Sequence, residues 1–397
     1  MKKRLKLGDL VGIGVGSMIG GGIFVASGLA ISQAGPWAIF SFILATAIAL
    51  MTGCTYAKLC MKYPSAGGSY SFLRAKLPIP LSEAFGKLLL FGYLAAISLY
   101  GATFGVYLAQ FIRLDHRLLG SFLIALMGLL NALGVKENSK VVNGLVILKV
   151  SILIFVALAS LTLLKPENFY FDGYLGLLKA LPPISFIFIG FQGFEIIVNA
   201  VEETYDKRDI VKAIYLSITS VAIVYLLIVT VTIGALGSRP IHEERALFDL
   251  AVRSLGNLGG ALITLSAIIS TASATNGAIF GSSRVLYSMS RNNSSYRGFI
   301  YLHPKRGTPV LAITAISALS LILLWLLPLR SVASVPSLIF LIAFLLVNLA
   351  GYKEGYKYSL LPALIIAYFI TFSEPTSLAI TLGVLTFLTF IEFLKYK

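Results

Sequence analysis

Residues 10–34 read LVGIGVGSMIGGGIFVASGLAISQA and form the first apolar run of the chain. The run exceeds the roughly 20 residues that a helix needs to cross a bilayer core, and it is too long for the apolar part of a secretory signal. Three consecutive glycines, Gly20, Gly21 and Gly22, lie in its middle. Because glycine costs about 1 kcal/mol relative to alanine inside a helix, the run predicts a membrane span that is interrupted near its centre.

The rest of the chain has the same apolar character. Of its 397 residues, 57% are hydrophobic and 12% are charged, whereas soluble domains carry about 25% charged residues. This composition excludes a water-soluble enzyme, a disordered chain and a disulfide-stapled secreted module. It predicts an all-α polytopic membrane protein with twelve transmembrane helices. The predicted spans are residues 10–33, 37–60, 84–111, 119–134, 142–164, 181–201, 212–236, 258–286, 309–327, 333–350, 358–372 and 376–394.

Lysine and arginine are distributed unevenly over the connections between these spans. With twelve crossings, one side of the membrane collects 23 of the 32 basic residues, the other side has 8, and Lys149 lies inside a span. Such an excess marks the cytoplasmic side, so we expect a multi-pass protein of the cell membrane with both termini in the cytoplasm. The asymmetry accounts for the net charge of +15 without a nucleic-acid partner.

The sixth apolar stretch shares the unusual features of the first. It begins at Pro182 and Pro183 and carries Gly190 and Gly193 in its middle. Two interrupted spans at corresponding places of two halves are typical of inverted-repeat transporters, which bind substrate at the breaks. Close packing of helices through small residues is the alternative explanation, but packing does not require three glycines in a row. An interrupted helix exposes N–H and carbonyl groups that suit the carboxylate and ammonium of an amino acid.

Four motifs along the chain resemble those of the amino acid–polyamine–organocation superfamily. They are Gly14 to Phe24 in the first span, Tyr56 to Tyr70 at the end of the second, Phe188 to Glu203 in the sixth, and Asn276 to Pro309 from the eighth to the ninth. The resemblance implies a secondary active amino acid transporter in the lipid bilayer, working by alternating access. It implies no enzymatic activity, no cofactor, no metal and no obligatory protein partner.

The same resemblance implies a LeuT-like fold, in which a five-plus-five inverted repeat has interrupted helices 1 and 6. Residues 10–164 would form the first repeat and residues 181–350 the second. Residues 358–394 would add two C-terminal helices. The whole chain, 1–397, would then be a single transmembrane transporter domain.

The family's substrate-binding scheme maps onto the two breaks. By resemblance, backbone N–H groups around Gly21 to Ile23 bind the substrate carboxylate, and carbonyl groups of Met18, Phe186 and Ile189 bind its amino group. Phe186 occupies the place of an aromatic residue that closes over the substrate, and an apolar wall residue is the alternative. The implied substrate-binding residues are Met18, Ile19, Gly20, Gly21, Gly22, Ile23, Phe186, Ile189 and Gly190.

Lys149 lies in the middle of the fifth predicted span, about ten residues from either end. An ionisable group at that depth costs roughly 2.5–3.5 kcal/mol on the insertion scale and indicates a functional role. A desolvated ammonium group releases its proton more readily than an exposed one, so Lys149 is a candidate proton carrier. A structural lysine in a fixed salt bridge is the alternative.

Lys149 is similar to the fifth-helix lysine of proton-coupled members of the superfamily (the ApcT type). In those members the ammonium group stands where sodium-coupled relatives hold a sodium ion. The resemblance implies contacts with the carbonyls of Gly16 and Ile19 and with a hydroxyl on the eighth helix. The sequence leaves three hydroxyl candidates unranked: Ser270, Thr271 and Ser273.

Two further polar residues lie near the second break. Gln192 occupies a position that is often acidic in relatives, and Glu195 follows three residues later on nearly the same helical face. Glu195 has four open roles, namely a pair with a polar neighbour, a proton relay, a pocket for a cationic substrate, or a buried structural carboxyl. We expect proton-coupled symport of neutral amino acids, with an exchanger or a cationic amino acid or polyamine transporter as alternatives.

Overall fold

The computed structural model describes residues 5–65, 67–134, 139–237, 242–292, 294–327, 329–373 and 375–395, and all secondary-structure elements of this part of the chain are helices. Of the basic residues counted for orientation, Lys2, Lys3, Arg4, Lys136, Arg239 and Lys397 lie outside these ranges. The α-helices are α1 Leu7–Met18, α2 Gly21–Ala34, α3 Ala38–Lys62, α4 Gly68–Arg74, α5 Ile79–Leu108, α6 His116–Leu133, α7 Ser139–Ala159, α8 Gly173–Leu177, α9 Ile184–Ile187, α10 Phe194–Asn199, α11 Arg208–Leu236, α12 Ala246–Asn292, α13 Val310–Leu326, α14 Leu329–Lys353, α15 Leu360–Ile370 and α16 Pro375–Lys395.

Within the described ranges, nine helical stretches are long and apolar enough to cross a membrane. The first of them, Gly21–Lys62, runs through α2 and α3. Three shorter apolar helices are Leu7–Met18, Val310–Leu326 and Lys357–Ile370. A helix satisfies its backbone hydrogen bonds internally, as hydrocarbon requires. The prediction of an all-helical membrane protein is confirmed, and the count of twelve spans and their repeat relation stay predictions.

Two helices extend well beyond the predicted spans. The eighth predicted span, 258–286, lies inside the much longer α12, which bends at Gly256 where φ is +58°. The third predicted span begins at residue 84, whereas α5 begins at Ile79. The extra turn carries Glu83, which is fully buried and forms an ion pair with Arg74. Pairing with Arg74 offsets the free-energy cost of burying this carboxylate. A hydropathy pattern does not show such a pairing, so the predicted span began after Glu83.

Contacts between distant segments hold both ends of the described chain against other parts of the molecule. The backbone of Leu5 bonds to Glu203 and Tyr205 at the end of the sixth apolar stretch, and Glu203 accepts a 2.7 Å hydrogen bond from Arg284 near the end of α12. At the other terminus, Glu392 of α16 forms an ion pair with Lys87 of α5.

Glu354, just after α14, connects this helix with the end of α3 and with the segment that precedes α5. It forms an ion pair with Lys62, lies 2.5 Å from the Lys76 ammonium and accepts a hydrogen bond from Tyr63. The hydrogen bond from Lys62, followed by those from Lys76 and Tyr63, lowers the pKa of Glu354 from its usual 4.5 to about 2.

Replacing Glu354 by glutamine should therefore remove a pH-dependent part of the stability. A carboxyl whose pKa is lowered on folding stabilises the protein above its unfolded-state pKa and stops doing so as pH falls through the folded-state value. The melting temperature of the wild type should exceed that of Glu354→Gln at neutral pH, and the gap should narrow as pH falls from 4.5 toward 2. A gap that is independent of pH in this window would contradict the assignment.

Candidate functional site

The chain is interrupted at both places where glycine predicted a break. The helix of α1 ends at Met18, the residues Ile19 and Gly20 are not helical, and α2 begins at Gly21. The break thus precedes most of the triple glycine, because Gly21 and Gly22 are already the first residues of α2. The N–H groups at the start of a helix have no partner within it. At α2 these belong to Gly21, Gly22 and Ile23, the three predicted to bind a carboxylate.

The second break lies between α9 and α10. The chain passes through a short 3₁₀ turn, Phe188–Gly190, and reaches α10 through Gly193, whose φ is +131°. A side chain at Gly193 would bring its Cβ within 2.7 Å of the Met18 nitrogen. Only glycine fits both this dihedral angle and this spacing, so the first break packs directly against the second.

Tyr225 of α11 joins the two breaks by its hydroxyl group. The hydroxyl oxygen lies 2.7 Å from the carbonyl oxygen of Met18 and 2.9 Å from that of Gly190. Since a phenol has one proton, it donates to one of these carbonyls at a time. Sequence analysis missed this residue. The general need of a buried tyrosine hydroxyl for a partner could have indicated it, but the chain contains 19 tyrosines.

Lys149 of α7 also reaches the first break. Its side chain is fully buried. The ammonium nitrogen donates to the carbonyl oxygen of Gly16 at 2.9 Å, to that of Ile19 at 2.7 Å and to the hydroxyl of Ser273 at 2.8 Å. Three acceptors match the three protons of a lysine ammonium. Lys149 thereby connects α7, the end of α1 and α12.

The three hydroxyl candidates on α12 differ in their contacts. Ser273 approaches Lys149 and also lies 3.2 Å from the Gly16 carbonyl oxygen. Thr271 donates instead to Ala267, one turn earlier in its own helix, at 2.7 Å. Ser270 is fully buried, and its hydroxyl has no hydrogen-bond partner among the described residues.

The residues predicted to contact substrate are mostly buried. Met18, Ile19, Ile23 and Ile189 are all at most 2% exposed, whereas Phe186 is half-buried and packs at the edge of the core. The predicted binding glycines Gly20, Gly21, Gly22 and Gly190 are buried as well. At Gly22 an added Cβ would lie 3.1 Å from the Ile189 side chain. The two breaks therefore face each other across very little space.

Glu195 and Gln192 differ in how they are satisfied. Glu195 accepts a 2.7 Å hydrogen bond from the backbone N–H of Gly193, and the Tyr93 hydroxyl lies 3.5 Å from its other oxygen. The carboxylate thus caps α10 at its first turn. Gln192 is 1% exposed, and its side-chain oxygen has no hydrogen-bond partner within the described ranges. No group of three His, Cys, Asp or Glu side chains among the described residues is arranged to hold a metal ion.

Comparison with known proteins identifies the family. The profile of the amino acid permease family matches residues 5–394, nearly the whole chain. The chain belongs to this family. The resemblance to the amino acid–polyamine–organocation superfamily is confirmed by this match. This permease is a transporter and not an enzyme.

Curated relatives of the permease come from bacteria, an archaeon and a plant. The branched-chain amino acid permease BcaP of Bacillus subtilis is 28% identical over 339 residues, which cover 79% of this chain and 72% of BcaP. An uncharacterized protein of Methanocaldococcus jannaschii is 32% identical over 306 residues, covering 73% of this chain and 69% of its own. These matches place the permease among amino acid transporters of the membrane.

A solved structure also resembles the permease along its full length. The crystal structure of a manganese transporter from Eremococcus coleocola aligns with a TM-score of 0.64 at 13% identity. The alignment covers 98% of this chain and 96% of that chain. At this level of identity the similarity concerns the fold alone.

Proposed function

We propose that this permease is a secondary active transporter that couples the uptake of a neutral amino acid to a proton by alternating access. Its twelve spans would form a five-plus-five inverted repeat, residues 10–164 and 181–350, followed by two helices at 358–394. The observation that carries the proposal is the convergence of both helix breaks and the Lys149 ammonium on one enclosed region. Broken helices facing each other at mid-span are typical of substrate sites in such repeats.

The two breaks supply opposite charges for the two ends of an amino acid. The N–H groups of Gly21, Gly22 and Ile23 start α2 and carry its positive dipole end, which suits a carboxylate. The carbonyls of Met18, Phe186 and Ile189 suit an ammonium group. The Met18 and Gly190 carbonyls compete for the single hydroxyl proton of Tyr225. A substrate ammonium would donate to the Met18 carbonyl, and the Tyr225 hydroxyl would then donate to Gly190.

Lys149 supports coupling to protons, since it is an intramembrane ionisable group that binds two helices which must move apart in alternating access. Protonated, it holds the carbonyls of Gly16 and Ile19 together with Ser273 of α12. Neutral, it has two protons for three acceptors, and the bridge between α1 and α12 weakens. By the resemblance to proton-coupled members of the superfamily, the ammonium would stand where sodium-coupled relatives hold a sodium ion, which disfavours sodium coupling.

A neutral substrate is favoured by the state of Glu195. Its Oε2 atom accepts a hydrogen bond from the N–H of Gly193 at the helix break, and its Oε1 atom lies 3.5 Å from the Tyr93 hydroxyl, so both oxygens have a partner within the protein. The relative BcaP is named for branched-chain amino acids, which are neutral. Lysine or arginine could instead inhibit uptake of the labelled substrate as strongly as a neutral amino acid does at the same concentration. That result would overturn this assignment and favour the cationic or polyamine alternative.

We place the permease in the cell membrane with both termini in the cytoplasm. The uneven distribution of lysine and arginine supports this orientation. The contacts of Leu5 with Glu203 and of Lys87 with Glu392 also support termini on one side. A cysteine introduced at the exposed position of Lys305 tests the orientation. A membrane-impermeant thiol reagent should label it in inside-out vesicles and not in intact cells.

The deciding experiment is uptake of radiolabelled amino acids into liposomes that contain the purified permease. We expect accumulation that requires an inward proton gradient, persists without sodium and identifies a neutral substrate. Uptake only into liposomes preloaded with amino acid would make the permease an exchanger. Equal uptake with and without the gradient would overturn proton coupling but leave amino acid transport standing.

Replacing Ser273 by alanine should weaken coupling without abolishing it. The substitution removes one of three acceptors of the Lys149 ammonium, and loss of a hydrogen bond to a charged group costs about 1.5–3 kcal/mol. We expect gradient-driven uptake to fall about tenfold or more and its pH dependence to shift. Ser270→Ala is the matched control on the same helix and should transport like the wild type. Equal losses in the two variants would contradict the role of Ser273.

A further inference from the structure

A basic patch lies where α3 and α14 end and α15 begins. It consists of five lysines: Lys58, Lys62, Lys76, Lys353 and Lys357. The sequence from residue 58 to 76 contains no aspartate or glutamate, and from 352 to 360 it contains Glu354 alone. Arg74, which lies in the first of these segments, is balanced by Glu83. Glu354 pairs with Lys62 and Lys76, and no ion pair of Lys58, Lys353 or Lys357 is present among the described residues, so the patch stays positive.

The turn between α14 and α15 fixes these charges in place. Gly355 has a φ of +98°, and a Cβ added there would meet no atom within 4 Å, so the chain reverses at this glycine without strain. The reversal turns Glu354 toward Lys62 and Lys76. It directs the next residues, Tyr356 to Tyr358, toward α3.

Lys58 is held at the surface by aromatic rings. Its ammonium nitrogen lies 4.4 Å from the ring centre of Tyr358 and 5.2 Å from that of Tyr356. The two rings are stacked with their centres 6.3 Å apart. A cation–π contact orients an ammonium group but does not neutralise it. The charge of Lys58 therefore remains available to an anion.

Exposed apolar side chains border the patch. Leu361 and Leu364 on α15 are 56% and 60% exposed, and Met61 of α3 is also exposed. Leu361 and Leu364 are three residues apart and share one face of their helix. Tyrosines at the boundary between charged and apolar surface are typical of the membrane interface. Positive charge next to a lipid-facing apolar surface matches the shape of a phospholipid, with a phosphate above acyl chains.

We propose that the basic patch binds the phosphate headgroup of an anionic phospholipid whose acyl chains lie against Leu361 and Leu364. Lysines near a membrane surface attract anionic lipids, and here they are held on three separate segments of the chain. The bound lipid would tie α3 to the turn between α14 and α15. This assignment depends on the membrane placement of the permease and is independent of its substrate and of proton coupling.

Native mass spectrometry of the full-length permease with phosphatidylglycerol and phosphatidylcholine tests the site. We expect the wild type to retain phosphatidylglycerol in preference to phosphatidylcholine. The variant Lys58→Gln with Lys357→Gln should bind phosphatidylglycerol about tenfold less tightly, because it removes two charges that Glu354 does not hold. The control Arg297→Gln with Lys305→Gln removes two exposed charges from the connection between α12 and α13 and should bind like the wild type.

Three results would overturn the proposal. Equal retention of the two lipids by the wild type excludes a headgroup site, and this test needs no variant to fold. Equal losses in both double variants would mean that net charge alone attracts the lipid. Inorganic phosphate that displaces phosphatidylglycerol at comparable concentration would mean that the patch holds a free anion and not a lipid.

Discussion

Replacing Lys149 by alanine should abolish amino acid accumulation that is driven by a proton gradient. The change removes the donor for the Gly16 and Ile19 carbonyls and for Ser273, all within 2.9 Å of the ammonium nitrogen. It leaves the buried Ile19 carbonyl without its ammonium donor, which costs about 1–3 kcal/mol. Uptake into liposomes with and without the imposed gradient measures the effect, and the gradient should give no increase in the variant.

A second substitution separates the charge of Lys149 from its proton chemistry. Arginine keeps a positive charge but does not lose its proton in proteins. In equilibrium assays, the substrate affinity of Lys149→Arg should therefore be closer to that of the wild type than the affinity of Lys149→Ala is. Lys149→Arg should nevertheless fail to accumulate substrate. Size-exclusion chromatography and melting temperature report whether each variant is folded. Normal gradient-driven accumulation in either folded variant would mean that Lys149 is a structural residue.

The sequence identified Lys149 because chemistry made it conspicuous. A single lysine in the middle of an apolar stretch raises the free energy of membrane insertion, so its presence indicates a functional role. The triple glycine and the Pro182–Pro183 pair stood out for the same reason, since both conflict with an uninterrupted helix. For such residues the physical penalty is visible in the sequence itself, and the predicted breaks appear at α1–α2 and α9–α10.

Other parts of the site could not be predicted because their meaning depends on three-dimensional neighbours. Tyr225 is an ordinary tyrosine in an apolar stretch until α11 brings its hydroxyl to Met18 and Gly190. The choice of Ser273 over Ser270 depends on the rotation of α12 about its axis. The predicted span excluded Glu83 because a charged residue ends an apolar pattern. Its burial depends on Arg74, which belongs to a different element. Pairwise contacts over long sequence separations leave no local pattern.

Two adjacent carbonyl groups make the first break sensitive to both sides of the site. The Met18 carbonyl faces the Tyr225 hydroxyl, and the Ile19 carbonyl faces the Lys149 ammonium. Because neighbouring peptide units share backbone dihedral angles, a change at one carbonyl reorients the other. A substrate ammonium arriving at Met18 and a proton leaving Lys149 would therefore act on the same short segment. In the proposed mechanism this segment would be the common physical element through which substrate and proton influence each other.

Replacing Gly193 by alanine should have an equally large effect, from the other break. The φ of +131° lies in a region essentially restricted to glycine, where a residue with a side chain is strained by about 1–3 kcal/mol. The added Cβ would also lie 2.7 Å from the Met18 nitrogen and 2.8 Å from the Ser17 carbonyl carbon. Both neighbours are backbone atoms, so the first break itself must shift. We expect transport to be lost and the melting temperature to fall.

The control for Gly193 is a glycine with a positive φ in open space. Gly307 has a φ of +67°, and no atom lies within 4 Å of an added Cβ there, so Gly307→Ala tests the dihedral cost without a clash. It should lose about 1–2 kcal/mol of stability and transport normally. Substrate binding, measured on folded Gly193→Ala protein, should be weakened because Met18 and the start of α2 are displaced. Wild-type transport by Gly193→Ala would show that the contact between the two breaks can relax. The N–H and carbonyl groups at the first break would then bind an amino acid without the close approach of Gly193 to Met18.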